Sequence, residues 1–300
     1  MNKDPLPEDL RVFCAVVRHA GFSAAARQLG VSPAYVTKRI HVLEAVLQTT
    51  LLHRTTRRVA VTPAGERVYH WALRILDDVE QLVDDISATR RAPRGVLRVC
   101  SSIGFGRRVV GPALSQFARE HPAVQVRFEV FDHLVDIAAA GFDLDIRVGE
   151  DIAPDMIARR LADNSRILCA APEYLARRGE PRSLQELAAH DCLVIKERDH
   201  PFGIWRLQHG RQESRVKVQG PLSTNHGEMA VQWAVDGHGV ILRSQWDVAP
   251  LIQAGKLVHI LADYRQEANV WAVYPSRLNA SAKVRVFVEF LQRSLDRGFP

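Results

Sequence analysis

At 300 residues, 47% hydrophobic and 25% charged, the chain has the composition of a soluble globular protein with room for a small module and a larger body. Its start, Met1 to Asp9, has no apolar signal core, and no run approaches the ~20 apolar residues of a membrane span, so a cytoplasmic protein is expected. The net charge of +6 is concentrated: Arg27, Lys38, Arg39, Arg54, Arg57 and Arg58 face the single acid Glu44 over Arg27 to Arg58, a local +5. Such a patch attracts phosphate whatever the base sequence; the alternative is a solvated basic surface with no partner. Cys14, Cys100, Cys169 and Cys192 are far apart, with no C-x-x-C pair and no metal-ligand spacing, so buried free thiols are expected and no cofactor or metal.

In chain order, Asp9 to about His19 reads as a helix with Leu10, Phe13, Val16 and Val17 on one face. Phe22 to Ile40 then reads as a helix, a tight turn and a second helix. Ser23 is positioned to cap the first, Gly30 supplies the left-handed residue that ends it, and Ser32 and Pro33 start the second. Ala26 is small where the helices cross, and Val31 and Val36 fill the space between them. Tyr35, Thr37, Lys38 and Arg39 are then left as an outward polar and cationic face suited to the DNA major groove. An ordinary helical hairpin would not need that face. Ser23, Arg27, Ser32, Tyr35, Thr37, Lys38 and Arg39 are the expected DNA contacts, with Arg54, Arg57 and Arg58 on a two-stranded wing over Leu51 to Thr62.

Thr62-Pro63 opens a long helix reaching about Thr89, whose Val68, Ala72, Ile75, Val79, Leu82 and Ile86 follow a heptad seam. Pairing with a second copy is the expectation; packing on its own domain is the alternative. Arg90 to Gly95 reads as a hinge. Strands and helices alternate beyond it: strands at Val96–Cys100, Val124–Phe131 and Leu144–Val148 with helices at Gly111–Glu120 and Leu134–Ala140. A second set includes Ile167–Ala170, Leu193–Ile195, a helix from about Glu228 to Asp236 and a strand over Gly239–Leu242. The chain returns through Val270–Tyr274 and a helix over Ala282–Leu295. This order predicts a mainly parallel sheet and two α/β lobes with a cleft between them.

Ser101 and Ser102 follow a strand and precede Gly104 and Gly106, so hydroxyls and backbone N–H groups can converge on an anion there. Thr224, Asn225 and His226 precede the second-lobe helix and offer donors from the opposite wall. Arg147 ends a strand at the expected switch region, Phe202 suits an apolar lid, and a small organic anion is the expected ligand. Plain capping by the two serines, and pairing of Arg147 with Asp143 or Asp145, are the alternatives. An enzyme has little support: Gly104-Phe-Gly106 lacks the third glycine of a dinucleotide fingerprint, and there is no phosphate loop, H-E-x-x-H site or G-x-S-x-G elbow.

The Ser23 to Ile40 unit, the wing with Val61 to Gly65, the heptad helix and the two-lobed half together resemble the LysR-type transcriptional regulators over essentially the full length. The resemblance implies a winged helix-turn-helix domain (1–62), a dimerising linker helix (63–90), a hinge (91–95) and a periplasmic-binding-protein-like effector domain (96–300). Lobe I would take about 96–166 and 267–300, and lobe II about 167–266. It further implies a homodimer assembled as a dimer of dimers on promoter DNA, a small carboxylate effector and contact with RNA polymerase. Ser101 to Arg108, Asp143 to Gly149, Pro201 to Arg206 and Gly220 to Glu228 are similar to the subgroup governing tartrate and D-malate utilisation, which implies a C4 hydroxydicarboxylate. His226 stands where that subgroup more often has an acid. An aromatic or other carboxylate is the alternative effector.

Overall fold

The computed structural model describes residues 4–54, 59–86, 93–196, 202–278 and 281–299. It divides into two compact units, Met1–Arg91 and Ala92–Pro300. The first contains α1 (Pro7–His19), α2 (Phe22–Leu29), α3 (Pro33–Leu47), the antiparallel strands β1 (Leu52–Arg54) and β2 (Val59–Val61), and α4 (Pro63–Ile86). The apolar faces of α1, α2 and α3 meet in a core around Phe13, Val16, Ala25, Ala26, Val36, Ile40 and Leu43. Buried Thr62 joins the wing to α4: its hydroxyl accepts the Gly65 N–H at 2.9 Å and donates to the Thr50 carbonyl at 2.8 Å.

The second unit starts with β3 (Gly95–Ser102), the short helix α5 (Ile103–Phe105), a π-helical turn over Gly106–Val110, α6 (Gly111–Glu120) and β4 (Val124–Phe131). Then come α7 (Ile137–Ala140), β5 (Leu144–Val148), β6 (Met156–Ala162), β7 (Ser165–Ala170), α8 (Pro172–Arg178), α9 (Leu184–Ala188) and β8 (Val194–Ile195). The hairpin β9 (Ile204–His209) and β10 (Gln212–Lys217) leads to β11 (Ser223–Thr224), α10 (Gly227–Val235), β12 (Ile241–Ser244) and α11 (Gln245–Gln253). Last are β13 (Val258–Ile260), β14 (Gln266–Glu267), β15 (Val270–Pro275) and α12 (Ala282–Leu295).

Five strands in the order β4-β3-β5-β15-β6 build one lobe, and β12, β13 and β14 pair with β7 in the other. The expected mainly parallel sheet is corrected. In the five-stranded sheet the β3–β4 and β3–β5 pairings are parallel while β15 lies antiparallel to β5 and β6; in the other lobe every partner of β7 is antiparallel to it, and the short β8–β11 pair is parallel. The reason is the path: β15 carries the returning chain back into the first sheet from the opposite direction. In β7 the period of two puts Ile167 and Cys169 in one apolar cluster and Leu168 and Ala170 in another, so that sheet is covered on both faces.

Candidate functional site

In the first unit Gly30, in the left-handed region at φ +68°, ends α2, and Ser32 Oγ accepts the Tyr35 N–H at 3.2 Å to start α3. Ser23 caps nothing: α2 starts one residue earlier with Gly21 at its N-cap position, so Ser23 sits exposed inside the first turn. Arg27 and Lys38 are exposed, and Thr37 Oγ1 donates to the Pro33 carbonyl at 3.0 Å. Arg39 is corrected: its guanidinium turns inward and pairs with buried Asp9 of α1. Tyr35, 36% exposed, donates its hydroxyl to Glu8 at 3.5 Å. The outward groove on α3 is lined by Ala34, Thr37, Lys38, His41, Val42 and Ala45, which adds His41 to the expected set. Arg57 and Arg58 lie outside the described residues; Arg54 ends β1, and its side chain also lies outside them.

The seam of α4 is divided. Ala72 is buried, and Val68 packs against the core that α1 shares with α4, while Ile75 and Leu82 are exposed and Val79 is half-buried. The side chain of Ile86 lies outside the described residues. The exposed apolar face continues through Trp71, over whose ring Arg74 lies at 4.6 Å. A heptad count cannot tell the two halves apart, because α1 takes only the first turns of the helix.

In the second unit a cavity of about 100 Å³ lies between the two sheets. Of the expected residues, Ser102, Arg147, Asn225 and His226 line it. Ser101, Thr224 and Phe202 do not. Ser101 is buried and donates to the Ile146 carbonyl at 2.7 Å, and Thr224 Oγ1 accepts the His226 N–H at 3.0 Å. Phe202 is 60% exposed on the turn that enters β9, away from the cavity lining. Arg147 is corrected as an unengaged grip. On β5, Leu144 and Ile146 face the core, which puts Asp145 and Arg147 on the other face. There Asp145 Oδ2 takes Arg147 Nε at 3.0 Å and Nη2 at 2.9 Å, while Nη1 donates to the Asp151 carbonyl at 2.6 Å.

The cations missed in the sequence are Arg166, Lys196 and Arg243, all lining the cavity from the lobe of β7. A readable signal was available for two of them: Arg166 and Arg243 are charged residues set against apolar runs that become buried strands. Buried His226 Nδ1 has no hydrogen-bonding partner among the described residues. Facing these from the other lobe is Asp132, whose carboxyl is held below its ordinary value chiefly by the hydrogen bond from His133 at 2.9 Å. Cross-lobe ties close the rim: Asn225 donates to Asp132, Arg107 Nε to Glu228 at 3.1 Å, and Arg108 pairs with Asp247. No group of three or more metal-ligating side chains occurs among the described residues, and no helix there is long and apolar enough to cross a membrane.

Two family profiles match the chain: "Bacterial regulatory helix-turn-helix protein, lysR family" over residues 7–66 and "LysR substrate binding domain" over 90–296. The HTH-type transcriptional regulator DmlR of Escherichia coli K12 is 57% identical over 300 residues, covering 100% of this chain and 98% of that protein. The HTH-type transcriptional activator TtdR of the same strain is 50% identical over 291 residues, covering 97% and 94%. Among solved structures, CrgA, a LysR-type transcriptional regulator from Neisseria meningitidis, superposes with a TM-score of 0.60 at 30% identity, covering 96% of this chain and 98% of that one. With both profiles matched and two relatives at 50% identity or more over nearly their full length, the chain belongs to the LysR family of DNA-binding transcriptional regulators.

Proposed function

We propose that a C4 hydroxydicarboxylate such as malate or tartrate binds the cavity between the two lobes and sets promoter activity. The observation that carries this is a cavity of about 100 Å³ lined by Arg147, Arg166, Lys196 and Arg243 with His226. Drug-sized ligands occupy roughly 300–1,000 Å³, and an engineered apolar cavity of about 150 Å³ holds benzene. A compact, multiply charged anion suits this lining better than an aromatic acid. The likeness to the tartrate and D-malate subgroup and the 57% and 50% identities to DmlR and TtdR agree with that class.

In this reading Ser32, Tyr35, Thr37, Lys38 and His41 face the operator, with Arg27, Arg54, Arg57 and Arg58 on phosphate. Ile75, Val79 and Leu82 of α4, extended by Trp71, join two copies, and two dimers assemble on one promoter. The protein acts in the cytoplasm and contacts RNA polymerase there. The domain limits are those given above: 1–62, 63–90, 91–95 and 96–300. Titrating the full chain with D-malate, tartrate and benzoate by calorimetry, beside gel shifts on its promoter fragment, tests the proposal. C4 acids should bind and alter the shifted complex; benzoate binding without C4 binding would refute the effector class.

A further inference from the structure

Resting on that effector reading, we propose that Asp132 reads the hydroxyl of the effector: its carboxylate accepts the ligand's O–H and so separates hydroxydicarboxylates from plain dicarboxylates. Asp132 and Asp151 are the acids among the described residues that line the cavity. An ionised acid in an anion site repels the ligand unless the ligand brings it a hydrogen-bond donor. The C2 hydroxyl of malate is such a donor, and succinate, otherwise the same molecule, has none. Asp151 also borders a second hollow beside α7, whereas Asp132 lines this cavity and not that one.

The fold places Asp132 at the right edge. β4, β3 and β5 run parallel, so their carboxyl ends open on the same side. Phe131 stands opposite Ser102 in the β3–β4 register, which sets Asp132 one residue past the strand end and beside a serine that also lines the cavity. Ser102 makes no side-chain cap bond to α5. An α-hydroxy acid carries its O–H and a carboxylate on one carbon, which suits an acceptor and a hydroxyl donor on neighbouring strand ends about 4.8 Å apart. Asp132 is also fixed in position. His133 Nδ1 donates to its Oδ1 at 2.9 Å, and Asn225 donates to its Oδ2 from the other lobe. A carboxylate offers about four lone-pair sites; these two bonds leave each oxygen able to accept another, and the side chain, 34% exposed, is within reach of a ligand. The bond from His133 favours the ionised form, which keeps Asp132 an acceptor.

Calorimetry on the full chain compares D-malate with succinate in wild type, Asp132→Ala, Asp132→Asn and Asn225→Ala. Wild type should bind malate about tenfold to a hundredfold more tightly than succinate, the worth of a hydrogen bond to a charged group. Asp132→Ala should bring that ratio to about one by losing malate affinity while succinate binds as well as before or better, because the repulsion is gone. Asp132→Asn keeps a neutral acceptor and should give an intermediate ratio. Asn225→Ala removes the tie between the lobes and leaves the acceptor, so malate and succinate should weaken together with the ratio kept. A wild-type ratio of one, a wild-type ratio persisting in Asp132→Ala, or equal loss of both ligands there overturns the assignment, as does a ratio abolished by Asn225→Ala, which would make the tie and not the acceptor the source of discrimination. If wild type binds neither C4 acid, the effector reading itself falls and takes this inference with it.

Discussion

Arg39→Ala separates folding from base reading in the first unit. The Asp9 side chain is 1% exposed and that of Arg39 18%, so removing the guanidinium strips a buried carboxylate of its counter-charge between α1 and α3. Breaking one side of a buried pair costs about 3–5 kcal/mol. Because Arg39 keeps some contact with water, the lower end applies, about 3 kcal/mol. At 1.4 kcal/mol per factor of ten, this raises the opening equilibrium of the unit by about 100-fold. Amide hydrogen exchange on the full chain reads it directly: the slowest amides of α1 and α3 should lose about that much protection, with the second unit as internal control. Asp9→Leu with Arg39→Met removes both charges and should recover most of the loss. Operator binding should fall evenly across base substitutions. Wild-type protection in Arg39→Ala, together with lost preference at a single base pair, would refute the reasoning and return Arg39 to the reading face.

Ile75→Asp with Leu82→Asp should dissociate the protein in light scattering without loss of helix signal, whereas Ala72→Asp, at a fully buried position, should unfold the first unit instead. Gly65→Ala puts a Cβ 2.2 Å from the Leu51 carbonyl oxygen and 2.7 Å from Val61 Cγ1, so calorimetry should show the first unit destabilised by about 1–3 kcal/mol or more. Burial pushes the Cys169 and Cys192 thiols up to about 12, so iodoacetamide near pH ~8 should leave both unmodified until the chain is denatured. His190 and His259 are held below the ordinary 6.5 by burial, and NMR titration should find both there. The unfolded chain then binds protons first, so their contribution to stability is present above pH 6.5 and is lost as pH falls toward the folded values.

The reading unit was legible because its signals are local. Gly30, Ser32 and Pro33 act within a turn of where they stand, and Phe13, Val16 and Val36 reach the core by helical spacing alone. Ser23 misled because Gly21 and Ser23 both suit a helix start, and only the backbone, extended at Gly21 and helical from Phe22, separates them. Strand positions in the second unit were legible as apolar runs, but their pairing was not. The direction of β15 depends on where the chain returns from the other lobe, and the β9–β10 hairpin, half buried around Trp205, Leu207 and Val216, carries too weak an alternation to stand out.

The cavity shows where residue-by-residue reading stops. Asp143, Asp145 and Arg147 share one side of β5 by the period of two, so the sequence contains both candidate pairs and cannot choose between them. Distant chain decides it: Asp143 Oδ2 accepts the Arg98 N–H at 2.8 Å and lies 3.8 Å from Lys283 Nζ of α12, and Asp145 takes Arg147. Arg166 and Arg243 meet the cavity only through the β7–β12 pairing, which no local pattern specifies. What the sequence does contain is the cost of placing them. A guanidinium at the end of a buried apolar strand must be met by an acceptor or a ligand, so such positions are where a cavity should be sought.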